Sequence, residues 1–144
     1  MEFNYLENDL LSIEIIKDEV NSILISTKDD ISIKKIVKER QTIKSFNFGE
    51  IKDSFYKSAK NVGIPDSIIM DFAYIFGWDI DFVFDIRSGD SFEILYEEYF
   101  YKGEKIKNGD IKAARFKRGK KVFSAIRFFS KASQTKEYLS LIHI

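Results

Sequence analysis

The chain has 144 residues, of which 44% are hydrophobic, so it has room for one domain with a substantial core. Its 23 basic residues balance its 23 acidic residues, which argues against nucleic acid as a partner. Cysteine is absent, and this excludes disulfides, thiolate zinc sites and cysteine nucleophiles.

The amino-terminal residues carry no targeting pattern. Residues 1–5 lack a basic region followed by an apolar run, so we expect no signal peptide in this chain. Nowhere does the sequence approach the ~20 consecutive apolar residues of a membrane-spanning helix. We therefore expect no membrane span.

The first third of the chain alternates apolar and polar residues. From Phe3 to Phe48 the period is near two, and polar breaks occur at residues 8–9, 17–18 and 28–30. Such alternation, interrupted by turn residues, is typical of antiparallel strands. It predicts an opening β-meander of three or four strands.

A first helix is predicted where the period changes. Ile51, Phe55 and Ala59 stand four residues apart, which favours an amphipathic helix from about Gly49 to Asn61. Gly63 is suited to end this helix in a left-handed conformation.

A second helix is predicted from about Pro65 to Phe76. Proline suits the first position of a helix, and Asp66 places negative charge in the first turn, where the helix dipole favours it. Gly77 is expected to end this helix. The predicted buried face contains Ile68, Ile69, Phe72, Ile75 and Phe76.

The last third of the chain alternates again. We predict a strand from Phe92 to Tyr101, a turn at residues 107–110, a strand from Ile111 to Lys117, a hairpin turn at Arg118-Gly119 and a strand from Val122 to Phe129. The predicted fold class is α+β: an antiparallel β-meander, a two-helix hairpin and a three-stranded β-meander.

Residues 1–130 are predicted to form a single α+β module. Residues 131–144 are predicted to be a tail: Lys131 to Lys136 lose the alternation, and Leu139 to Ile144 resemble the peptide produced when sequencing-adapter DNA is translated at the end of an assembled fragment. We expect this tail to be foreign to the natural chain. It contains His143, the only histidine.

The sequence lacks the groups that common hydrolases need. A catalytic zinc site takes about three protein ligands, typically several of them histidines, and a serine triad needs an imidazole held inside the fold. One histidine in a doubtful tail supplies neither. Glycine-rich phosphate loops are absent too, so we expect no catalytic residue, no metal and no cofactor in this chain.

Several aspartates surround a tryptophan, which leaves two readings open. Carboxylates flanking an aromatic ring occur in glycosidases. The structural reading is that Asp79 caps a short helical turn, while Asp85 or Asp90 pairs with Arg87 and holds the turn before the next strand. We favour the structural reading. Glu97 and Glu98 should point to opposite faces of a strand and cannot form one site.

Two patterns that suggest polymer binding have simpler explanations. The predicted helix pair resembles a helix-turn-helix, but its second helix offers no Lys or Arg to a DNA groove. A packed helical hairpin explains it better. The basic residues around the predicted hairpin tip protect edge strands from pairing, with weak contact to an anionic polymer as the minority reading. These residues are Lys112, Arg115, Lys117, Arg118, Lys120 and Lys121.

Residues 75–82, 85–92 and 96–98 resemble the second, non-catalytic module of lysostaphin/LytM-type murein endopeptidases, in the subgroup with a MepM/OapA-like architecture. The likeness covers most of Phe3 to Phe129. Its structural motif consists of Phe76, Gly77, Trp78, Asp79, Asp81, Phe82, Arg87, Gly89 and Asp90. We expect Phe76, Trp78, Ile80 and Phe82 to pack as a cluster that joins the helices to the sheet.

The resemblance implies a parent enzyme of the periplasm or cell envelope that cuts peptide cross-links in peptidoglycan. The family's His-x-x-x-Asp and His-x-His zinc motifs do not occur here, so zinc is expected in a peptidase domain outside this chain. Ser88 stands where the family usually has proline. The implied partners are that peptidase domain and a LysM-like domain of the same polypeptide, with peptidoglycan as a further candidate.

Three functions follow from these observations. A regulatory or positioning module should expose a patch that contacts the other domains. A stand-alone module that binds envelope glycan or peptidoglycan should expose an aromatic platform, and a buried Trp78 would count against it. A hydrolase acting through aspartates should gather two carboxylates in one cleft.

Overall fold

The computed structural model describes residues 1–6, 9–18, 21–27 and 30–143. Nine strands and two helices occur in these ranges, which confirms the α+β class. The elements are β1 (Glu2–Leu6), β2 (Asp9–Ile16), β3 (Asn21–Ser26), β4 (Ser32–Val37), β5 (Gln41–Glu50), α1 (Phe55–Asn61), α2 (Asp66–Phe76), β6 (Ser91–Tyr101), β7 (Glu104–Arg118), β8 (Lys121–Ser130) and β9 (Thr135–His143).

The chain forms two compact units. The first combines Met1–Gln41 with Phe100–Ile106, and the second combines Thr42–Tyr99 with Lys107–Ile144. The expectation of one module over residues 1–130 with a foreign tail stays a prediction.

The first unit contains a four-stranded antiparallel meander in the order β1-β2-β3-β4. Isoleucines pair across its strands: Ile13 lies opposite Ile25, which lies opposite Ile33. The β2–β3 turn is held by Asp18, whose carboxylate accepts hydrogen bonds from the backbone and side chain of Asn21 at 2.9–3.0 Å. The predicted meander is confirmed, except that residues 41–50 form a strand of the other sheet.

The second unit contains a five-stranded sheet in the order β5-β6-β7-β8-β9. The predicted three-stranded meander forms its centre, and a strand is added at each edge. Strand β9 pairs with β8 from Ser130 opposite Thr135 to Val122 opposite His143. The side chain of His143 lies outside the described residues.

Helix α1 begins later than predicted, because Gly49 and Glu50 continue strand β5. Ser54 ends the connection and caps the helix: its hydroxyl accepts a hydrogen bond from Lys57 N at 3.2 Å. Ile51, which the periodicity placed in the helix, is fully buried before it. Gly63 has φ +83°, which confirms the predicted left-handed conformation.

The hairpin turns lie elsewhere than predicted. Strands β6 and β7 are joined at Lys102-Gly103, with φ angles of 49° and 81°, and residues 107–110 belong to β7. Gly109 is needed there for close approach, since a Cβ at this position would lie 2.8 Å from Tyr99 Cζ. The β7–β8 turn is formed by Gly119, with φ +57°, and Lys120, one residue later than the predicted Arg118-Gly119.

Aromatic rings fill the core between the helices and the second sheet. Phe55 stacks on Phe72 with ring centroids 4.7 Å apart, and Phe92 meets Phe55 edge-on at 5.3 Å. Phe116 of β7 lies 5.8 Å from Phe82. Rings in these offset and edge-on geometries add about 0.5–1.5 kcal/mol per pair to the burial of their surface.

Candidate functional site

The segment after α2 is a chain of tight turns held by carboxylates. Asp81 Oδ1 accepts hydrogen bonds from the backbone N–H groups of Val83 and Phe84 at 2.8 and 3.1 Å. Asp85 accepts one from Asp81 N at 3.1 Å. Side-chain oxygens that bond their own backbone a few residues away stabilise turns of this kind. The carboxylates of Asp81 and Asp85 therefore stabilise these turns through hydrogen bonds to the backbone.

A second turn fastens this segment to the end of β5. Asp90, only 5% exposed, accepts a hydrogen bond from Arg87 N at 2.8 Å. Ile51 N donates to Asp90 O at 2.7 Å, and Gly89 N donates to Ile51 O at 3.0 Å. Gly89 has φ +92°, a conformation that favours glycine.

The partners of the aspartates differ in part from those predicted. Asp90 pairs with the backbone of Arg87, whose guanidinium donates to the carbonyls of residues 84 and 86 at 2.6 and 2.9 Å. Asp85 pairs with Arg118 at 3.1 Å. The hydrogen bond from the backbone N–H of Asp81 and the nearby guanidinium of Arg118 hold the pKa of Asp85 below its usual value. Asp79 accepts a hydrogen bond from Ser140 Oγ at 3.3 Å in place of capping a turn.

Three members of the predicted aromatic cluster pack as expected, and one does not. Phe76 and Ile80 are buried and Phe82 packs against the core, but Trp78 is 94% exposed, so its predicted packing is wrong. The reason is helical geometry. Residues 79 and 80 donate to the carbonyl of Phe76, so a helical turn continues past Gly77. Positions 76 and 80 then share the inner face, and position 78 points outward.

The outward face of α2 carries an exposed row of large side chains. Met70, Tyr74 and Trp78 stand four residues apart and are 64%, 81% and 94% exposed. The row is acidic: from Asn61 to Ile86 the chain has five aspartates and no lysine or arginine. We call Met70, Asp71, Tyr74, Trp78 and Asp79 the acidic aromatic surface.

The second sheet presents an apolar face on the side away from the helices. Phe123 and Ala125 on β8 point into the core, so the alternating residues Ser124 and Ile126 point to the outer side. There Ile126 lies opposite Leu139 of β9. Phe46 on β5 shares this side and is 58% exposed. We call this the outer sheet face; its large apolar members are Phe46, Leu95, Ile126 and Leu139.

A cavity of about 300 Å³ lies in the outer sheet face. Phe46 and Ile126 stand at its sides, and the small residues Ala113 and Ser124 leave room between them. The ion pair between Arg115 and Glu93, with atoms 2.5 Å apart, lines the same cavity. The space is mostly apolar and suits the side chain of a docked partner.

Three of the six basic residues of the predicted hairpin are paired with acids. Lys112 contacts Glu97 at 2.9 Å, Arg115 contacts Glu93, and Arg118 contacts Asp85. Cations neutralised in this way attract an anionic polymer weakly. The predicted edge-protecting role is not supported, because β7 and β8 lie inside the five-stranded sheet and its edges are β5 and β9.

An ion network stabilises the sheet near α2. Arg127, with 8% of its side chain exposed, contacts both Glu97 and Asp110. Burial alone would raise the pKa of Glu97, but Lys112 and Arg127 outweigh it and hold that pKa below its usual value. Burial would likewise raise the pKa of Asp110, but Lys136 and Arg127 outweigh it and hold that pKa below its usual value. Glu98 lies on the opposite side from Glu97 and accepts a hydrogen bond from Ser45.

Within residues 1–6, 9–18, 21–27 and 30–143, no three His, Cys, Asp or Glu side chains gather in a way that could hold a metal ion. In the same ranges, no helix is long and apolar enough to cross a bilayer.

The two-sheet α+β architecture is shared with parts of solved bacterial proteins. A zinc-containing peptidase from Vibrio cholerae matches with a TM-score of 0.72 at 22% identity, over 95% of this chain and 42% of that one. Csd3 from Helicobacter pylori matches with a TM-score of 0.74 at 14% identity, over 96% of this chain and 38% of that one. These likenesses establish the fold.

The sequence places the chain more narrowly. Residues 39–138 match the Csd3 second domain family, and the chain belongs to that family. This confirms the resemblance to the second module of LytM-type endopeptidases.

Two curated relatives are peptidoglycan DD-endopeptidases of Vibrio cholerae. ShyC is 34% identical over 104 residues, which cover 71% of this chain and 24% of ShyC. ShyB is 34% identical over 94 residues, which cover 62% of this chain and 22% of ShyB. The chain thus spans about a quarter of the length of these relatives.

Proposed function

We propose that this chain is a non-catalytic positioning module of a zinc endopeptidase that cleaves peptide cross-links of peptidoglycan in the bacterial cell envelope. The observation that carries the proposal is the outer sheet face, an apolar surface on a chain that matches only about a quarter of the length of its relative ShyC. The zinc and the catalytic residues belong to another domain of the parent polypeptide.

The outer sheet face has the properties of a surface that another domain covers. Antiparallel sheets that face water usually carry polar residues on that side. Here Phe46, Ile126 and Phe128 are 43–58% exposed, and large exposed apolar patches mark interaction sites. A docked domain that inserts one apolar side chain between Phe46 and Ile126 would be held in a fixed position. Its peptidase groove would then be oriented by this module.

The parent polypeptide tests this directly. Replacing Phe46 and Ile126 together with aspartate should release the docked domain, because two charges would be buried in an apolar contact. We expect faster protease cleavage between domains and an altered rate of muropeptide release. The matched control is Val83→Asp with Phe84→Asp, at apolar residues 79% and 74% exposed outside this face. The proposal would be refuted if the parent protein with both aspartates kept the wild-type rates of protease cleavage between domains and of muropeptide release.

The isolated chain should neither bind zinc tightly nor cleave peptidoglycan. It has no cysteine and one histidine, and carboxylates alone suit hard cations better than zinc. Digestion of purified wall material, with the zinc content of the protein measured alongside, checks this. Zinc-dependent release of muropeptides above contaminant controls would contradict it.

A second candidate function is peptidoglycan binding by this module alone. The exposure of Trp78 favours it, because a stacking platform for sugar rings needs an accessible aromatic face. Co-sedimentation of the chain with insoluble peptidoglycan, compared with Trp78→Ala, distinguishes it from the positioning role. Binding that depends on Trp78 would support this second function.

A further inference from the structure

The acidic aromatic surface lies apart from the outer sheet face and plays no part in the positioning role. Its apolar side chains, Met70, Tyr74 and Trp78, add nothing to the core, since each is 64% exposed or more. Tyr74 and Trp78 offer ring faces that carry the negative part of the aromatic quadrupole. Water contacts these rings at a cost that a partner would relieve.

Of the two carboxylates of this surface, Asp79 accepts one hydrogen bond, from Ser140 Oγ at 3.3 Å. Three of the five aspartates between Asn61 and Ile86 are engaged elsewhere: Asp66 pairs with Lys60 at 3.0 Å, and Asp81 and Asp85 hold turns. Among the described residues, neither Asp71 nor Asp79 forms an ion pair.

The surroundings of Asp71 favour an added cation. Partial desolvation raises the pKa of Asp71, and the negative charge of Asp110 raises it further. A cation placed beside Asp71 would oppose both effects, since an opposite charge stabilises the ionised form. Asp71 and Tyr74 are three residues apart on α2, so both lie on one face of the helix.

We propose that the acidic aromatic surface binds a cationic, apolar segment of a partner protein. The Lys or Arg heads of that segment lie over the rings of Tyr74 and Trp78 and pair with Asp71 and Asp79. Its apolar side chains pack on Met70. A cation over an aromatic face contributes about 0.5–2 kcal/mol, and rings flanked by carboxylates combine this attraction with ion pairing.

Charge complementarity selects this occupant over others. The two aspartates of this surface that form no ion pair among the described residues, Asp71 and Asp79, repel nucleic acid and anionic lipid. A neutral glycan would stack on Trp78 but would gain nothing from the negative charge of Asp71 and Asp79. A cationic segment uses both the rings and the charges.

Trp78 is the only tryptophan, so its fluorescence reports directly on this surface. The intact chain is titrated with a short amphipathic peptide of lysine and leucine, and in parallel with its glutamate and leucine counterpart. We expect a saturable blue shift with the lysine peptide alone. The affinity should fall several-fold when salt screens the charges.

Matched variants assign the binding to this surface. Asp71→Asn with Asp79→Asn should weaken the lysine peptide about tenfold, corresponding to about 1.4 kcal/mol. Glu39→Gln with Glu104→Gln changes the net charge equally at exposed positions outside this surface and should leave the affinity unchanged. Trp78→Ala should weaken binding of the lysine peptide about fivefold or more, and calorimetry measures the affinity of this variant. Both conservative double variants leave the core untouched.

Three results would overturn the proposal. The first is an equal shift with the glutamate peptide, the second an unchanged affinity in the Asp71/Asp79 variant. The third is a Trp78 response to solubilised glycan fragments without a response to the lysine peptide. Phe46→Asp with Ile126→Asp should not alter peptide binding, so this proposal and the positioning role can fail separately.

Discussion

Arg127 and Glu97 form an ion pair that solvent barely reaches. Nη2 of Arg127 lies 3.5 Å from Oε2 of Glu97, and only 8% and 13% of the two side chains are exposed. The same guanidinium contacts Asp110 through Nη1. One arginine thus holds carboxylates of two neighbouring strands, β6 and β7.

Replacing Arg127 with methionine should destabilise the chain by about 2–4 kcal/mol. The substitution keeps much of the side-chain volume but leaves Glu97 with only Lys112 and the Tyr99 hydroxyl, and removing one partner of a buried ion pair is costly. Urea unfolding measures the loss. Arg115→Met, which breaks an exposed pair with Glu93, is the control and should cost much less. Equal losses for the two variants would contradict the role assigned to Arg127.

Stability should fall at alkaline pH because of Tyr138. Burial raises the pKa of Tyr138 to about 12, and its hydroxyl donates to the carbonyl of Ile111 at 3.0 Å. The folded state therefore keeps the proton more tightly than the unfolded chain does. The stabilisation is complete below the ordinary pKa of about 10 and is lost as pH rises from there through 12, by about 2–3 kcal/mol.

Tyr138→Phe tests this assignment. It should cost about 0.5–1.5 kcal/mol at neutral pH, since one hydrogen bond is removed. It should also flatten the decline between pH 10 and 12. Urea unfolding at a series of pH values checks both effects. If the free energy of unfolding of Tyr138→Phe fell as steeply with pH as that of the wild type, groups other than Tyr138 would cause the alkaline loss.

Phe72→Ala should destabilise the chain by about 3–5 kcal/mol. Phe72 is fully buried and stacks on Phe55 at 4.7 Å, so truncation leaves a large cavity in the core. Trp78→Ala removes a larger ring and should change the free energy of unfolding by about 0.5 kcal/mol or less, because that ring is 94% exposed. Thermal melts of the two variants compare them. A large loss from Trp78→Ala would show that its ring packs in solution.

Gly109→Ala should destabilise the chain by about 1–3 kcal/mol. The added methyl group would lie 2.8 Å from both Glu97 Cβ and Tyr99 Cζ, so the neighbouring strand must shift. Combining it with Tyr99→Leu should recover part of the loss, which a double-mutant cycle measures. A fully additive pair of losses would mean that the ring of Tyr99 is not the obstacle.

Local patterns predicted the elements that local chemistry determines. The alternation of apolar residues located most strands, and the four-residue spacing located the first helix. Pro65 and Asp66 located the start of the second helix, and Gly63 was placed in the left-handed conformation it adopts. The error at residues 107–110 shows the limit of such patterns. Asn108-Gly109 has the composition of a turn, but the glycine is there because the side chains of Glu97 and Tyr99 on the adjacent strand occupy the space that its own side chain would need.

Composition and motifs determined by themselves that this chain lacks cysteine, has one histidine and resembles a module of wall endopeptidases. Only the tertiary structure decided which apolar residues are covered. Phe76 and Trp78 are two positions apart in similar surroundings, yet one is fully buried and the other 94% exposed. The helical turn that continues past Gly77 directs them to opposite sides. Burial depends on where the chain turns in space, so the surfaces available to partners follow from packing between elements distant in sequence.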